Sequence, residues 1–414
     1  MSYDGTAVST TMPGDFDGPL VGIYTAEFAA DPHAAYREMR SRHGSLAPVE
    51  LAPGVPATLV LGYRAALQIL NDPDHFPADP RTWQRSVPAD CPVLPMLEWR
   101  PNPIRSAGAD HTRYRSAVGS ALSRVDQHRL HTTVEEIAIP LINSFCQSGQ
   151  CDVLTQYAQP LVFSSLSAML GVPPDIGQRA SEGMALIFGM TDAAAGNAML
   201  GEALLDLVQL KRSTPGDDVT SWLVHHPVGL DDEELMHQLV LLYGAGLEPP
   251  QDLIVNTLLL MLTDDRFAAT VLDGSLSTRD ALDDVLFNDP PMANFCISYP
   301  RQPILVDKTW LPAHQPVIVS MAACNNDPDI RRKEIIDNRS HLAFSAGPHA
   351  CPAQSPAMLI VQDAIDQLLD ALPELTLAVP ATELQWRPDP FYRALVSLPV
   401  AFPPSPQLGV PGIQ

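Results

Sequence analysis

The sequence is poor in basic residues and lacks any segment typical of export or of membrane insertion. Lys and Arg number 25 against 48 Asp and Glu, which gives a formal net charge of −23. Such a chain presents no basic face, so we expect no nucleic-acid partner. No apolar run reaches the ~18–20 residues of a membrane span, and residues 1–20 lack a signal peptide's basic and apolar regions. We therefore expect a cytoplasmic protein with a flexible segment at 1–20 and a single folded domain at 21–414.

Cysteines are also scarce, and their spacing excludes two common kinds of site. None forms a Cys-x-x-Cys pair, and no zinc-binding pattern is present. We expect reduced thiols in a cytoplasmic protein. The six cysteines are Cys91, Cys146, Cys151, Cys296, Cys324 and Cys351.

Helical periodicity dominates the chain, which is 46% hydrophobic and carries 41 prolines at helix ends and in loops. A strand is predicted at 57–61 and a proline-interrupted hairpin at 306–320. The 81–103 segment is predicted to be a proline-rich loop, with Trp83 and Trp99 either contacting a substrate or packing locally. Helices are predicted at 30–43, 63–70, 134–145, 161–170, 180–188, 193–210, 219–224 and 231–262, and from the residues after 351 to 372.

One cysteine lies in a loop of small residues just before a helical pattern. A thiolate placed there is stabilised by free N–H groups and the helix dipole. Gly347 lets the backbone pass close to a flat group, and Phe344 can shield the sulfur. The alternative is a buried structural cysteine in a turn. The loop reads Phe344-Ser345-Ala346-Gly347-Pro348-His349-Ala350-Cys351-Pro352-Ala353.

The 231–262 helix carries an acid in its apolar middle. A buried acid is costly unless it is paired or hydrated, and two consecutive prolines should kink the helix. An exposed acid in a loop between two helices is the alternative. The middle of the segment reads Tyr243-Gly244-Ala245-Gly246-Leu247-Glu248-Pro249-Pro250.

The segment 110–115 places two hydrogen-bond donors on one helical face. His111 and Arg115 are four residues apart and therefore share that face, and Asp110 can cap the helix. Two donors of this kind suit a pair of carboxylates. A solvated basic helix face is the alternative interpretation.

Together these segments resemble the cytochrome P450 family over nearly the whole chain. The cysteine loop is similar to the family's Phe-x-x-Gly-x-His/Arg-x-Cys-x-Gly/Ala. Ala245, Gly246 and Glu248 match the oxygen-binding helix, Ala-Gly-x-Glu/Asp-Thr-Thr, and 110–115 resembles the His-x-x-x-Arg helix. The resemblance is to soluble bacterial, actinobacterial members. It implies a mainly α fold with small β-sheets, in which haem b (iron protoporphyrin IX) lies between the long kinked helix and the cysteine loop.

The resemblance also implies roles for individual residues. Cys351 would ligate the haem iron, and Glu248 would be the catalytic acid that relays protons. The activity implied is that of a monooxygenase of secondary metabolism acting on a small hydrophobic molecule, with electrons from a ferredoxin and its reductase. The basic residues 331–333 lie where such a partner would dock. The residues implied to hold the haem are His349, His111, Arg115, Phe344, Gly347, Ala245 and Gly246.

Several departures from the family pattern accompany the intact cysteine loop. Pro249 replaces a threonine whose hydroxyl aids proton delivery. We therefore expect atypical oxygen activation, in which a large share of the oxygen that is reduced leaves as peroxide. Asp284 and Phe287 replace the Glu-x-x-Arg ion pair, and Ser298 aligns with a propionate-binding arginine. The stretch leading to Phe344 is also shorter than is usual in the family. Pro249, Phe287 and this shortened stretch, beside the intact cysteine loop, resemble a divergent actinobacterial subgroup without Glu-x-x-Arg. A catalytically decayed haem sensor or interaction protein and a peroxide-driven enzyme are the alternative functions.

Overall fold

The computed structural model describes residues 20–188, 192–268, 276–330 and 339–409, which form a mainly helical protein with small sheets. The fold class expected from the sequence is confirmed. Residues 1–19 of the predicted flexible segment and the basic cluster 331–333 lie outside the described residues. The α-helices are α1 (Ala26–Ala30), α2 (Pro32–His43), α3 (Tyr63–Leu70), α4 (Leu94–Leu97), α5 (Gly108–Leu122), α6 (Gln127–Phe145), α7 (Gln159–Leu170), α8 (Pro174–Phe188), α9 (Ala193–Ser213), α10 (Val219–Val224), α11 (Asp232–Thr263), α12 (Asp265–Ala268), α13 (Thr278–Asn288), α14 (Met321–Asn325) and α15 (Gln354–Ala371).

The strands of the described residues form three separate sheets. The five-stranded sheet has the order β1-β2-β3-β8-β5, the three-stranded sheet β4-β10-β9, and β6 pairs with β7 alone. In the largest sheet β2–β3 and β5–β8 are antiparallel, while β1–β2 and β3–β8 are parallel. The strands are β1 (Val21–Gly22), β2 (Leu46–Ala52), β3 (Val55–Val60), β4 (Gln150–Asp152), β5 (Asn294–Ser298), β6 (Ile304–Val306), β7 (Thr309–Leu311), β8 (Val317–Ser320), β9 (Thr376–Leu377) and β10 (Pro399–Ala401).

The apolar core has a helical part and a part built on the five-stranded sheet. The helical part joins residues of α5 to α11 with residues of α13 and α15. The sheet part packs α2 and the 81–103 segment against the large sheet, and there Trp83 is buried with its ring centroid 5.8 Å from that of Tyr299. Trp83 therefore packs locally, and its contact with a substrate stays a prediction. None of the helices in the described part of the chain has the length and apolar character that a bilayer crossing requires.

Helix α11 is the longest element and begins as the sequence predicts. The Asp231 carboxylate accepts from the Glu234 amide at 2.8 Å, and the Glu234 carboxylate accepts from the Asp231 amide at 3.0 Å. This capping box satisfies two of the helix's free N–H groups. Arg113 of α5 donates to the same Glu234 carboxylate, at 2.8 Å for its Nη2. The start of α11 is thus bonded to the helix that carries His111.

The prolines at 249 and 250 do not end this helix, which is continuous to Thr263. The alternative of a loop separating two helices is therefore wrong. A proline ring crowds the carbonyl four residues earlier and cannot bond to it. Here those positions are Ala245 and Gly246, whose small side chains leave room around the backbone.

Other helix boundaries follow the caps more closely than the apolar periodicity. The bounds predicted at 63–70 and 219–224 are confirmed. The helix expected from residue 30 starts instead at Pro32, because the Asp31 carboxylate caps it by accepting from the Ala34 amide at 2.9 Å. Asp126 likewise starts α6 at Gln127, seven residues before the predicted start.

Candidate functional site

The cysteine loop between Phe344 and Ala353 closes through its own backbone. The Cys351 amide donates to the Phe344 carbonyl at 2.9 Å, and the Ala350 amide donates to the Gly347 carbonyl at 3.1 Å. Gly347 has a φ of +69°, and a Cβ atom there would lie 2.3 Å from the Leu70 carbonyl oxygen. Glycine is therefore required at this position for both conformational and steric reasons.

Cys351 is exposed, unlike the other five cysteines, which are buried or partly buried. The protein around it raises the pKa of its thiol by desolvation, and a hydrogen bond from the Ala353 amide opposes this shift. Desolvation by the surrounding protein atoms outweighs the helix-terminus stabilisation expected from the sequence, so the net shift of the thiol pKa is upward. A metal ion reverses this balance, because a coordinating thiol is deprotonated outright. An accessible sulfur with one N–H donor suits a thiolate ligand.

The structure brings His111, Arg115 and His349 together, as expected from the sequence. The imidazole centroids of His111 and His349 are 4.1 Å apart, and Arg115 Nη2 donates to the Ala350 carbonyl. His111 is 8% exposed, and its buried Nε2 has no hydrogen-bond partner. Desolvation, followed by the charges of His111 and Arg115, lowers the pKa of His349 to about 4.

These three side chains form a site for an anion. No carboxylate in the described residues forms an ion pair with Arg115, His111 or His349. A buried imidazole nitrogen without a partner costs free energy, and charge-assisted bonds to carboxylates are the strong ones available to such donors. Because the donors lie beside the Cys351 loop, the residues present fit the predicted haem: Cys351 would hold its iron, and His111, Arg115 and His349 would hold its carboxylates.

Glu248 is not an isolated acid, because Arg387 pairs with it. Arg387 Nη2 donates to Glu248 Oε1 and lies 3.9 Å from Asp389 Oδ2. The Glu248 side chain is only 13% exposed. Desolvation raises its pKa, and the Arg387 charge opposes that shift.

A second acid, Asp252, lies one turn further along α11. It is 3% exposed, and its Oδ2 is buried without a hydrogen-bond partner. Desolvation raises its pKa well above the ordinary value, and the charge of Glu248 raises it further. We did not predict this acid, although its i+4 spacing from Glu248 is visible in the sequence. Arg387 gave no such signal, because 139 residues separate it from Glu248.

The remaining predicted cofactor residues occupy different surroundings. Ala245 is exposed on α11, whereas a Cβ atom at Gly246 would lie 3.1 Å from Leu166 of α7. Gly246 thus allows close helix packing, and its contact with a cofactor stays a prediction. Phe344 is partly buried against the helical core, with its ring centroid 6.0 Å from that of His341.

The replaced Glu-x-x-Arg positions have found other partners. Phe287 is 2% exposed and belongs to the core. Asp284 accepts from Arg266 Nη2 at 3.1 Å and from Asn288 Nδ2 at 2.9 Å. An apolar side chain and a surface ion pair therefore stand in place of a buried ion pair, a replacement that is often neutral for stability.

Comparison with known proteins identifies relatives along nearly the full chain, although no protein-family model matches it. The chain is 31% identical over 404 residues to cytochrome P450 monooxygenase PikC of Streptomyces venezuelae, covering 92% of this chain and 93% of PikC. It is 29% identical to vitamin D(3) 25-hydroxylase of Pseudonocardia autotrophica, covering 92% and 96%. Among solved structures, CYP154C4 of Streptomyces sp. ATCC 11861 superposes with a TM-score of 0.84 at 27% identity, covering 93% of this chain and 98% of CYP154C4.

Proposed function

The chain belongs to the cytochrome P450 family of haem-thiolate proteins, and from this premise we propose that it is a monooxygenase with an atypical route of proton delivery. Its substrate is a small hydrophobic molecule, a class supported by relatives such as the vitamin D(3) 25-hydroxylase. Cys351 would hold haem, which when bound would supply an iron centre for oxygen activation, and a thiolate ligand would favour O–O cleavage there. The remaining steps fall to side chains of this chain.

The observation that carries this proposal is the geometry of Cys351. Its thiol is exposed while the other five cysteines are at least partly buried, and the Ala353 amide donates to the sulfur. A hydrogen bond to a ligating sulfur tunes the electronics of a haem centre. His111, Arg115 and His349 orient the cofactor by holding its carboxylates.

Glu248 is the group that we assign to proton delivery. Glu248 and Asp389 share the guanidinium of Arg387, and Asp252 lies near enough for the charge of Glu248 to raise its pKa. Like charges in one desolvated site cannot all remain ionised, so such a cluster keeps a bound proton. Monooxygenation consumes protons because one oxygen atom leaves as water. The cluster holds a proton at a carboxylate oxygen and passes it on through Glu248.

Pro249 makes this route slower than the route typical of the family. Proline carries no hydroxyl, so the acid has no neighbouring side-chain alcohol through which to pass its proton. Glu248 then acts through water or through a polar group of the substrate. We expect a large share of the reduced oxygen to leave as hydrogen peroxide.

Electron supply and the rival functions complete the proposal. We assign the reducing partners to a ferredoxin and its reductase, as implied by the family resemblance. A decayed haem sensor is less well supported, because PikC is a monooxygenase and the vitamin D(3) relative a hydroxylase. A peroxide-driven reaction differs in needing no reductant, and adding hydrogen peroxide alone separates the two.

A spectroscopic experiment tests the thiolate centre, and an isotope experiment tests the reaction. The reduced, carbon-monoxide-bound protein should show the Soret band of thiolate haem, and C351A should lose it. C324A is the matched control, because the buried Cys324 thiol donates to the Val60 carbonyl at 3.3 Å. With a surrogate reductase system and ¹⁸O₂, a converted substrate should carry ¹⁸O. A colourless wild-type protein, or a thiolate spectrum that survives in C351A, would reject the proposal.

A further inference from the structure

Arg105 is a buried cation for which the described part of the chain offers no acidic partner. It ends a short 3-10 turn, Pro103–Arg105, and is 5% exposed. Its Nη1 donates to the Ile104 carbonyl at 3.3 Å and its Nη2 to the Met96 carbonyl. None of the ion pairs of the described residues includes it. Desolvation lowers the pKa of its guanidinium, as expected for a charge held away from water.

A buried charge without a counter-ion is a costly arrangement that proteins rarely keep. Buried charges are normally paired or bind a ligand, and arginine is the residue best suited to planar carboxylates. Two backbone carbonyls satisfy part of the guanidinium's fork of donors but supply no negative charge. The described part of the chain does not supply that charge, and a bound anionic ligand is the source that the proposed function offers.

The position of Arg105 identifies where that anion lies. The Pro103 carbonyl, in the same turn, accepts a hydrogen bond from the His349 ring, whose centroid is 4.1 Å from that of His111. Its guanidinium lies 5.4 Å from the ring centroid of Phe295 on strand β5. The same strand ends at Ser298, whose buried Oγ has no hydrogen-bond partner. Arg105 thus joins the donor cluster from the side of β5.

We propose that Arg105 is a fourth donor to the haem propionates and takes over from the arginine that this chain lacks at Ser298. The inference rests on the proposed function, since it assumes that haem is the ligand. Four donors, namely Arg105, Arg115, His111 and His349, then face a cofactor that brings two carboxylates. The guanidinium that is unpaired within the polypeptide becomes paired when the cofactor is bound.

Haem transfer from the holoprotein to excess apomyoglobin tests the assignment. R105M keeps much of the side-chain volume but removes the charge, and R105K keeps the charge but loses the planar fork. Because a hydrogen bond to a charged group is lost, R105M should release haem about tenfold to a hundredfold faster than the wild type. R105K should lie between them.

R40M is the matched control for loss of a structural arginine. Arg40 Nη2 also donates to two backbone carbonyls, Leu61 at 2.8 Å and Ala323 at 2.7 Å. R40M should lower the unfolding temperature without accelerating haem transfer well below that temperature. If Arg105 were only structural, R105M would behave as R40M does.

The outcomes separate this inference from the proposed function. A wild-type protein that binds no haem would overturn both. A wild-type protein with a normal thiolate spectrum, together with an R105M variant whose transfer rate stays within about twofold of it, would overturn only the role of Arg105. Equal acceleration of haem transfer in R40M and R105M would also overturn the role of Arg105. It would show that haem is lost because the fold is destabilised, not because a propionate donor is missing.

Discussion

Replacing Asp252 by asparagine should stabilise the protein, and more so at higher pH. Asp252 is 3% exposed, its Oδ2 has no hydrogen-bond partner, and Glu248 lies one turn away on the same face of α11. Asparagine has nearly the same shape and carries no charge. The substitution therefore removes an unpaired buried acid while leaving the packing in place.

The magnitude follows from the charge that the aspartate carries and asparagine does not. Leaving a buried polar group unpaired costs about 1–3 kcal/mol, but asparagine is also polar and keeps that cost, so the gain comes from the lost repulsion. Two carboxylates about 6 Å apart repel by about 3 kcal/mol at an effective dielectric constant of about 20, so both cannot be ionised cheaply. We expect a gain of about 1–3 kcal/mol at pH 8. With an unfolding entropy of about 2.1 cal/mol/K per residue and 414 residues, that gain raises the Tm by roughly 1–3 °C.

The direction of the pH dependence follows from the raised pKa of Asp252. An acid whose pKa is raised in the folded state binds more protons there than in the unfolded chain. The wild type should therefore lose stability as the pH rises from the ordinary value, 3.8, through the raised pKa. D252N lacks this loss of stability. The difference in stability between D252N and the wild type should therefore be small near pH 4 and largest near pH 8. Glu248 and Asp389 titrate in both proteins and do not create the difference.

Thermal unfolding of the holoprotein between pH 5 and 8 measures the effect, and D327N is its control. Asp327 is also a buried acid, but its carboxylate accepts from the Tyr63 amide at 2.9 Å and from the Asp329 amide at 3.0 Å. D327N should therefore lose stability where D252N gains it. A D252N variant that is less stable than the wild type at pH 8, or whose Tm difference is the same at every pH, would refute the reasoning.

Three further substitutions test other parts of the site. P249T should raise the ratio of product to NAD(P)H consumed severalfold and lower peroxide release, because it supplies a hydroxyl beside Glu248. P250T should change neither quantity. Equal ratios in the wild type, P249T and P250T would contradict the proposed proton route. G347A should lower haem content and Tm more than G44A does. Gly44 also has a positive φ, +75°, but no atom lies within 4 Å of a Cβ added there, so G44A carries only the backbone strain of about 1–2 kcal/mol. Equal losses in the two variants would rule out the clash with the Leu70 carbonyl. F287R should lower the free energy of unfolding by about 3 kcal/mol or more, because it buries a charge while Asp284, three residues earlier, already binds Arg266. An unchanged Tm would show that the new arginine finds a partner.

Local sequence signals predicted the cysteine loop and the start of the long helix correctly. The acids 231–234 are favourable at a helix N-terminus, and the helix indeed begins there. The same logic placed His111 and Arg115 on one face, whereas only the family resemblance joined the distant His349 to them, and the structure brings its ring to 4.1 Å from that of His111. Each of these depends on neighbours within a few residues, which the sequence displays directly.

Contacts between distant segments could not be predicted in this way. Arg387 reaches Glu248 across 139 residues, and Arg105 lies over the ring of Phe295 on strand β5. Neither has a spacing rule, because tertiary packing decides which side chains meet. The two consecutive prolines were ambiguous for another reason. A break in local hydrogen bonding is compatible with a loop and also with a helix that is held by its neighbours. The packing of the flanking residues in the core, which the sequence does not show, decides between the two.

The three-stranded sheet has a consequence for how the polypeptide acquires its structure during synthesis. Its central strand, β10, pairs with β4 on one side and with β9 on the other, so residues 399–401 bridge residues 150–152 and 376–377. A nascent chain still lacking residues 399–401 leaves Gln150–Asp152 without its hydrogen-bonding neighbour. Co-translational folding must therefore halt at an intermediate with this sheet open. Ribosome stalling just before residue 399 should capture that protease-sensitive state.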